Sequence, residues 1–107
     1  MTLDEVASLA RSLEGVRQQI REGRREWRYG GRLVARQLDE EHVVIRADFD
    51  YRDEILRIFP QTFSVSGRFA KHMMVVADLA RGDHGAIEDA LVAAWNLQRR
   101  AGRASTP

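Results

Sequence analysis

The sequence predicts an α+β domain, a two-layer sandwich in which a mainly antiparallel sheet carries helices on one face, in the order α-β(3-4)-α-β(2)-α. Three observations lead to that class. Apolar residues recur at helical spacing near both ends of the chain and once in its middle, and the stretches between them alternate at strand spacing. Adjacent strand patterns with few crossover helices favour antiparallel neighbours over a parallel sheet.

Thr2, with Glu5 three residues later, forms a capping box that satisfies otherwise unpaired backbone donors and starts the first helix. Leu3, Val6, Leu9, Ala10 and Leu13 supply its buried stripe, and Gly15 is placed as its left-handed C-terminal cap. From Val16 to Ile20 the pattern turns toward a strand. Residues 26–29 and 32–38 then flank Gly30-Gly31, a pair able to take the positive backbone angles of a two-residue hairpin. In an unbroken register Tyr29 faces Arg32, Trp27 faces Val34 and Arg25 faces Arg36 on one side. Arg28 with Leu33, Glu26 with Ala35 and Arg24 with Gln37 share the other. Trp27, Val34 and Leu38 mark the first side as core. The second becomes the outer surface, bearing Arg24 and Arg28, with Arg25, Arg32 and Arg36 nearer the strand ends.

After the acidic turn at Asp39 to Glu41, "HVVIRAD" reads as a strand with Val43, Ile45 and Ala47 on one side and His42, Arg46 and Asp48 on the other. A short helix follows, capped by Asp50, with Asp53 in its first turn, Ile55, Leu56 and Phe59 as contacts and Pro60 as its stop. "TFSV" is a brief strand, "SGRFAK" a loop, and "HMMVVADL" a strand apolar enough to lie inside a sheet. Asp83 caps the last helix, whose Ile87, Leu91, Ala94, Trp95 and Gln98 fall on one face and read as core. Residues 1–98 are expected to form one domain and residues 99–107 a flexible tail.

A chain of 107 residues is long enough to bury one core, and 44% apolar with 31% charged residues fits a globular domain. No apolar run approaches the ~20 residues that span a bilayer, and the start lacks a signal peptide's pattern, so a cytoplasmic location is expected. With no cysteine, disulfides and Cys-based metal sites drop out. The net charge is only +1, yet it is distributed as a mosaic: −2 over residues 1–15, +5 over 16–38, −5 over 39–54 and +3 over the remainder. A mosaic suits one oriented basic patch or pairing between neighbouring strands. Lys71 is the only lysine beside sixteen arginines, a bias that GC-rich coding also produces.

The layout, together with "TLDEVASLA", "EWRYGGRLVARQ", "FPQTFSV" and "HMMVVADL", resembles the MmcQ/YjbR family of small bacterial proteins. The resemblance covers nearly the whole chain. Its most specific parts are the Gly-Gly hairpin followed by a basic residue and an apolar strand, and the helix ending in Pro followed by Thr-Phe. It implies a fold similar to the secretion-chaperone-like two-layer domains, and DNA binding through a double-wing motif. The chain departs from the family pattern at Arg32, where lysine is common, and in "SGRFAKHMMVV", where Phe69 stands for a tyrosine and Met73 or Met74 for a tryptophan. The resemblance lends no catalytic residue.

Arginine clusters suit phosphate because guanidinium is planar, permanently charged and able to donate two bonds to one anion. Arg24, Arg25, Arg28 and Arg32 form the expected basic wing, with Arg36 at the strand end, and Arg68 and Lys71 extend it where the "SGRFAKH" loop folds beside the hairpin. The competing reading is a solvated sheet face whose arginines pair with Glu22, Asp39, Glu40, Glu41 or Asp48. Trp27 reads as core, and Tyr29 at the turn suits core and base stacking equally. The scattered His42, His72 and His84 lack metal-ligand spacing, and no nucleophile elbow or phosphate-binding loop is present. The expectation is a non-enzymatic protein without cofactor or metal, binding a nucleic-acid backbone. A protein-interaction module or chaperone-like dimer, using Leu33, Ala35 and Met74 on the outer face, is the alternative.

Overall fold

The structure, a computed structural model, describes residues 1–104. The chain runs through α1 (Leu3–Ser12), β1 (Val16–Arg21), β2 (Arg24–Tyr29), β3 (Arg32–Gln37), β4 (His42–Arg46), α2 (Phe49–Ile58), β5 (Phe63–Ser64), a short 3-10 turn at Gly67–Phe69, β6 (Met74–Asp78) and α3 (His84–Ala104). The strands form one antiparallel six-stranded sheet in the order β1-β2-β3-β4-β6-β5. The α+β sandwich and the order of its elements are those the periodicity predicts.

Local chemistry explains most boundaries. Thr2 accepts from the Glu5 backbone N–H at 3.1 Å while Glu5 accepts from the Thr2 N–H at 3.0 Å, so the capping box starts α1. Helix α1 ends at Ser12 with Leu13 as its cap. Gly15 takes a positive φ two residues after that cap, where an added Cβ would lie 2.8 Å from the Tyr29 ring. Asp48, rather than Asp50, caps α2 by accepting from the Tyr51 N–H at 2.9 Å. The helix therefore begins earlier than expected, with Asp50 in its first turn and Asp53 beyond it. Asp83 accepts from the Ala86 N–H at 2.8 Å at the start of α3. That helix continues through Ala104, past residue 98 where the sequence places the start of a tail, and residues 105–107 lie outside the described part.

Glu22-Gly23 and Gly30-Gly31 close two successive tight hairpins, each with positive φ at both central residues, as a two-residue turn matching strand twist requires. The second hairpin departs from the unbroken register. Tyr29 faces Arg32 and Arg28 faces Leu33, but Trp27 then faces Ala35 and Glu26 faces Arg36. Val34 is the extra residue of a β-bulge, and such a bulge leaves two successive side chains near one face. Val34 and Ala35 accordingly both join the main core with Trp27, and none of the three is exposed. The expected outer position of Ala35 is thus corrected: deep burial of both small apolar side chains against the indole outweighs strict alternation.

All three helices cover one face, where Val6, Trp27, Ile45, Ile87 and Leu91 are wholly or almost wholly buried. Trp95 lies at the margin of that core, half-buried. Its indole N–H donates to the Glu14 carbonyl at 2.9 Å, and Arg99 lies 4.2 Å from its ring. A smaller cluster of Val44, Val76 and Phe69 with Leu38, Val65 and Met74 sits on the other face. Here the 3-10 turn folds back onto the sheet.

Candidate nucleic-acid interface

Alternation along β1 and β2 sorts their side chains between the layers. Trp27 lies in the helix-side core and Gln18 accepts from its indole N–H at 2.9 Å, so Val16, Gln18 and Ile20 share that side. Arg17, Gln19 and Arg21 therefore project from the open face, beside Arg28, Glu26 and Arg24, their cross-strand partners. The bulge adds Arg36, which faces Glu26 from β3. Two like-charged pairs, Arg17 with Arg28 and Arg21 with Arg24, thus stand directly opposite each other with Gln19 and Glu26 between them.

A shallow cavity of about 280 Å³ opens over this surface, lined among others by Arg21, Arg24, Glu26, Arg28, Arg36 and Arg68. Glu26 is 4% exposed. It accepts from Arg28 Nε at 2.9 Å and from the Gln19 side-chain amide, and these bonds hold its carboxyl below the usual carboxylate range, with the Arg28 bond the largest cause. Arg28 also donates through Nη1 to the Gly31 carbonyl at 2.9 Å. The buried carboxylate therefore orients a guanidinium at the hairpin tip while offsetting part of the local charge.

The predicted wing divides between two faces. Arg24 and Arg28 are on the open face. Arg25 borders the cavity, but its Nη1 donates to Asp4 of α1 at 2.8 Å on the helix side. Arg32 lies opposite Tyr29 on the helix side as well, near Gly102 of α3. The ion pairs formed by Arg25 and Arg28 use Asp4 and Glu26, neither of them among the partners expected from sequence. Arg17 and Arg21 join the open face without having been singled out in the sequence. The signal available was parity: once Trp27 is core, the cross-strand arginines of β1 must point the other way.

The loop after β5 does fold beside the hairpin at Arg68, which lines the cavity and lies 5.2 Å from the Phe69 ring, with Arg36 at 5.8 Å. Lys71 is exposed and outside the cavity lining. Arg52 of α2 fixes this loop, donating to the carbonyls of His72 at 2.8 Å, Ala70 at 3.3 Å and Phe69 at 3.4 Å while stacking over Phe49 at 4.9 Å. Three carbonyls thus converge on one guanidinium, which adds to the backbone bonds that the Phe69 and His72 carbonyls already accept from the His72 and Met74 N–H groups.

Tyr29 is half-buried against the helix-side core, and Phe69 is buried under its two arginines, so neither ring lies open as a stacking platform. At the far end of the open face His42 bonds Asp39 at 2.9 Å and lies 3.9 Å from Asp78. Among the described residues no three His, Asp or Glu side chains gather into a metal-binding group, and no described helix is long and apolar enough to cross a membrane. No family model matches the chain, and no match to it is found among curated proteins or solved structures.

Proposed function

We propose that the protein is a non-enzymatic nucleic-acid-binding domain of MmcQ/YjbR type that takes the phosphate backbone on the open face of its sheet. The observation that carries this reading is the pair of arginine pairs, Arg17 with Arg28 and Arg21 with Arg24, set directly opposite each other across β1 and β2. Like charges in that relation are destabilising, and a bound polyanion reverses the sign of that effect. Arg36 and Arg68 enlarge the same surface. Arg25 and Arg32 belong to the helix side and have a minor part, and Lys71 serves only a ligand that extends beyond the cavity.

The contacts are electrostatic. Guanidinium groups would bond phosphate oxygens, and with no open aromatic face or base-reading helix among these residues, sequence preference is weak. Fluorescence anisotropy of labelled duplex and single-stranded DNA across salt concentrations tests the proposal. Binding should weaken by about 0.9 log unit per log unit of salt for each duplex phosphate contacted. Arg24→Glu with Arg28→Glu should lower affinity roughly tenfold or more at low salt and flatten the slope by about two contacts, while Arg25→Ala changes it little. Equal binding by parent and double variant would sink the assignment of this face, and no binding by the parent at low salt would sink the nucleic-acid reading.

A further inference from the structure

Strand β1 is an edge of the sheet with six residues, whereas β5 at the opposite edge has two. An edge of that length is a template for another strand unless a bulge, proline, charged side chains or a covering element blocks it, and the charged side chains of β1, Arg17 and Arg21, both stand on the open face. Among the described residues nothing pairs with the outer side of β1, and its ladder with β2 is regular throughout.

The tight turn at Glu22-Gly23 determines which groups are available. Arg21 and Arg24 flank a two-residue hairpin turn and so exchange both of their hydrogen bonds. Arg21, Gln19 and Arg17 therefore direct N–H and C=O toward β2, and Ile20, Gln18 and Val16 direct theirs outward. The Val16 N–H is taken by the Leu13 carbonyl at 3.1 Å. Gln18 and Ile20 keep outward donors and acceptors. Ile20 is also 63% exposed, more than Phe49 or Ile58, the other exposed large apolar side chains.

We propose that the occupant of this edge is a second copy of the chain, joined β1 to β1 by antiparallel pairing about a two-fold axis through Gln18. That register sets Gln18 opposite Gln18 of the second copy as a doubly hydrogen-bonded pair and aims the Ile20 N–H at the Val16 carbonyl of that copy. On the helix side, exposed Ile20 meets Val16 of the second copy. On the open face Arg17 meets Gln19. The neighbouring two-fold register, centred on Gln19, instead sets Arg17 against Arg21 of the second copy, a like-charged pair directly opposite, which is destabilising. Charge therefore selects between the registers. With the axis perpendicular to the sheet, both open faces lie on the same side, and the two arginine surfaces merge into one. The pairing does not depend on the nucleic-acid reading.

A single six-residue edge buries little area, so the dimer belongs to the weak class and forms in a concentration-dependent way. Sedimentation velocity and oxidative cross-linking test it, helped by the absence of cysteine from the chain. The parent should shift toward twice the chain mass as its concentration rises. Gln18→Cys should cross-link to itself under oxidation and Gln19→Cys should not, since a disulfide needs closely opposed Cα atoms of suitable geometry. Ile20→Pro removes an outward donor without touching the ladder to β2, a position where edge strands tolerate proline, so it should remain folded by circular dichroism and sediment as monomer. A parent that stays monomeric throughout, a dimer that survives Ile20→Pro, or cross-linking through Gln19→Cys in place of Gln18→Cys would each overturn the proposal.

Discussion

Glu26 lies buried among arginines, and the bonds it accepts from Arg28 and Gln19 stabilise its ionised form. Its carboxyl titrates lower in the folded protein than in the unfolded chain, so its contribution is present at neutral pH and lost as pH falls through the folded value. Glu26→Gln retains an acceptor and removes the charge. The stability gap between parent and Glu26→Gln, measured by urea denaturation, should be largest near pH 7 and close as pH falls below about 4. Glu5 and Asp39, also lowered by hydrogen bonds, titrate in both proteins and cancel from the difference. A gap unchanged from pH 7 to pH 3 would show that shape, not charge, makes Glu26 matter. Arg52 works at the same scale but by geometry. A lysine there could not reach three carbonyls in the fixed fork that guanidinium provides.

The β-bulge in β3 has consequences for the whole second hairpin. Because Val34 is the extra residue, Ala35 and everything after it are displaced by one position relative to an unbroken register, and Arg36 reaches the open face. Deleting Val34 would restore a regular ladder without moving Arg36 to the other side. Its cost should be that of one lost buried valine plus local repacking, about 2–3 kcal/mol in chemical denaturation. Deleting Arg36 instead slips Gln37 and Leu38 to opposite faces, takes Leu38 out of the Phe69 cluster, and should cost more. Equal losses for the two deletions would contradict this account of the register. The other elements depend on shorter-range chemistry: two hairpin turns with positive φ, and carboxylate or hydroxyl caps at the starts of α1, α2 and α3.

At the scale of the molecule, charge is segregated although the net value is only +1. Arginines of β1, β2 and β3 and the Arg68 turn form one surface, and the acidic turn from Asp39 to Glu41 follows β3, near the end of the sheet where β2 begins. On the proposed function that turn limits the footprint by repelling phosphate. Glu40→Lys with Glu41→Lys, two exposed sites, should raise affinity for duplex DNA several-fold at low salt and steepen the salt dependence, leaving Asp39 to hold His42. Unchanged affinity in anisotropy would place the ligand away from this end.

Local rules made much of the fold legible in advance: the capping box, the Gly-Gly hairpin, the Val43, Ile45 and Ala47 alternation, and the stripe of α3 each depend on residues a few positions apart. The grouping of Arg24 with Arg28 was legible for the same reason, since both follow from the parity of Trp27. The sequence by itself thus determined the two-layer class, the element order and a concentration of arginine around the first hairpins. Only the tertiary structure decided which arginines share a surface. The bulge that moves Arg36 depends on how Val34 and Ala35 pack under helices distant in sequence, and Arg68 joins through a loop held by Arg52 of α2, while Arg25, on the helix side by strand parity, is tied there by Asp4 of α1. Packing and ion pairs between distant segments depend on which surfaces meet, and one-dimensional periodicity carries no record of that meeting.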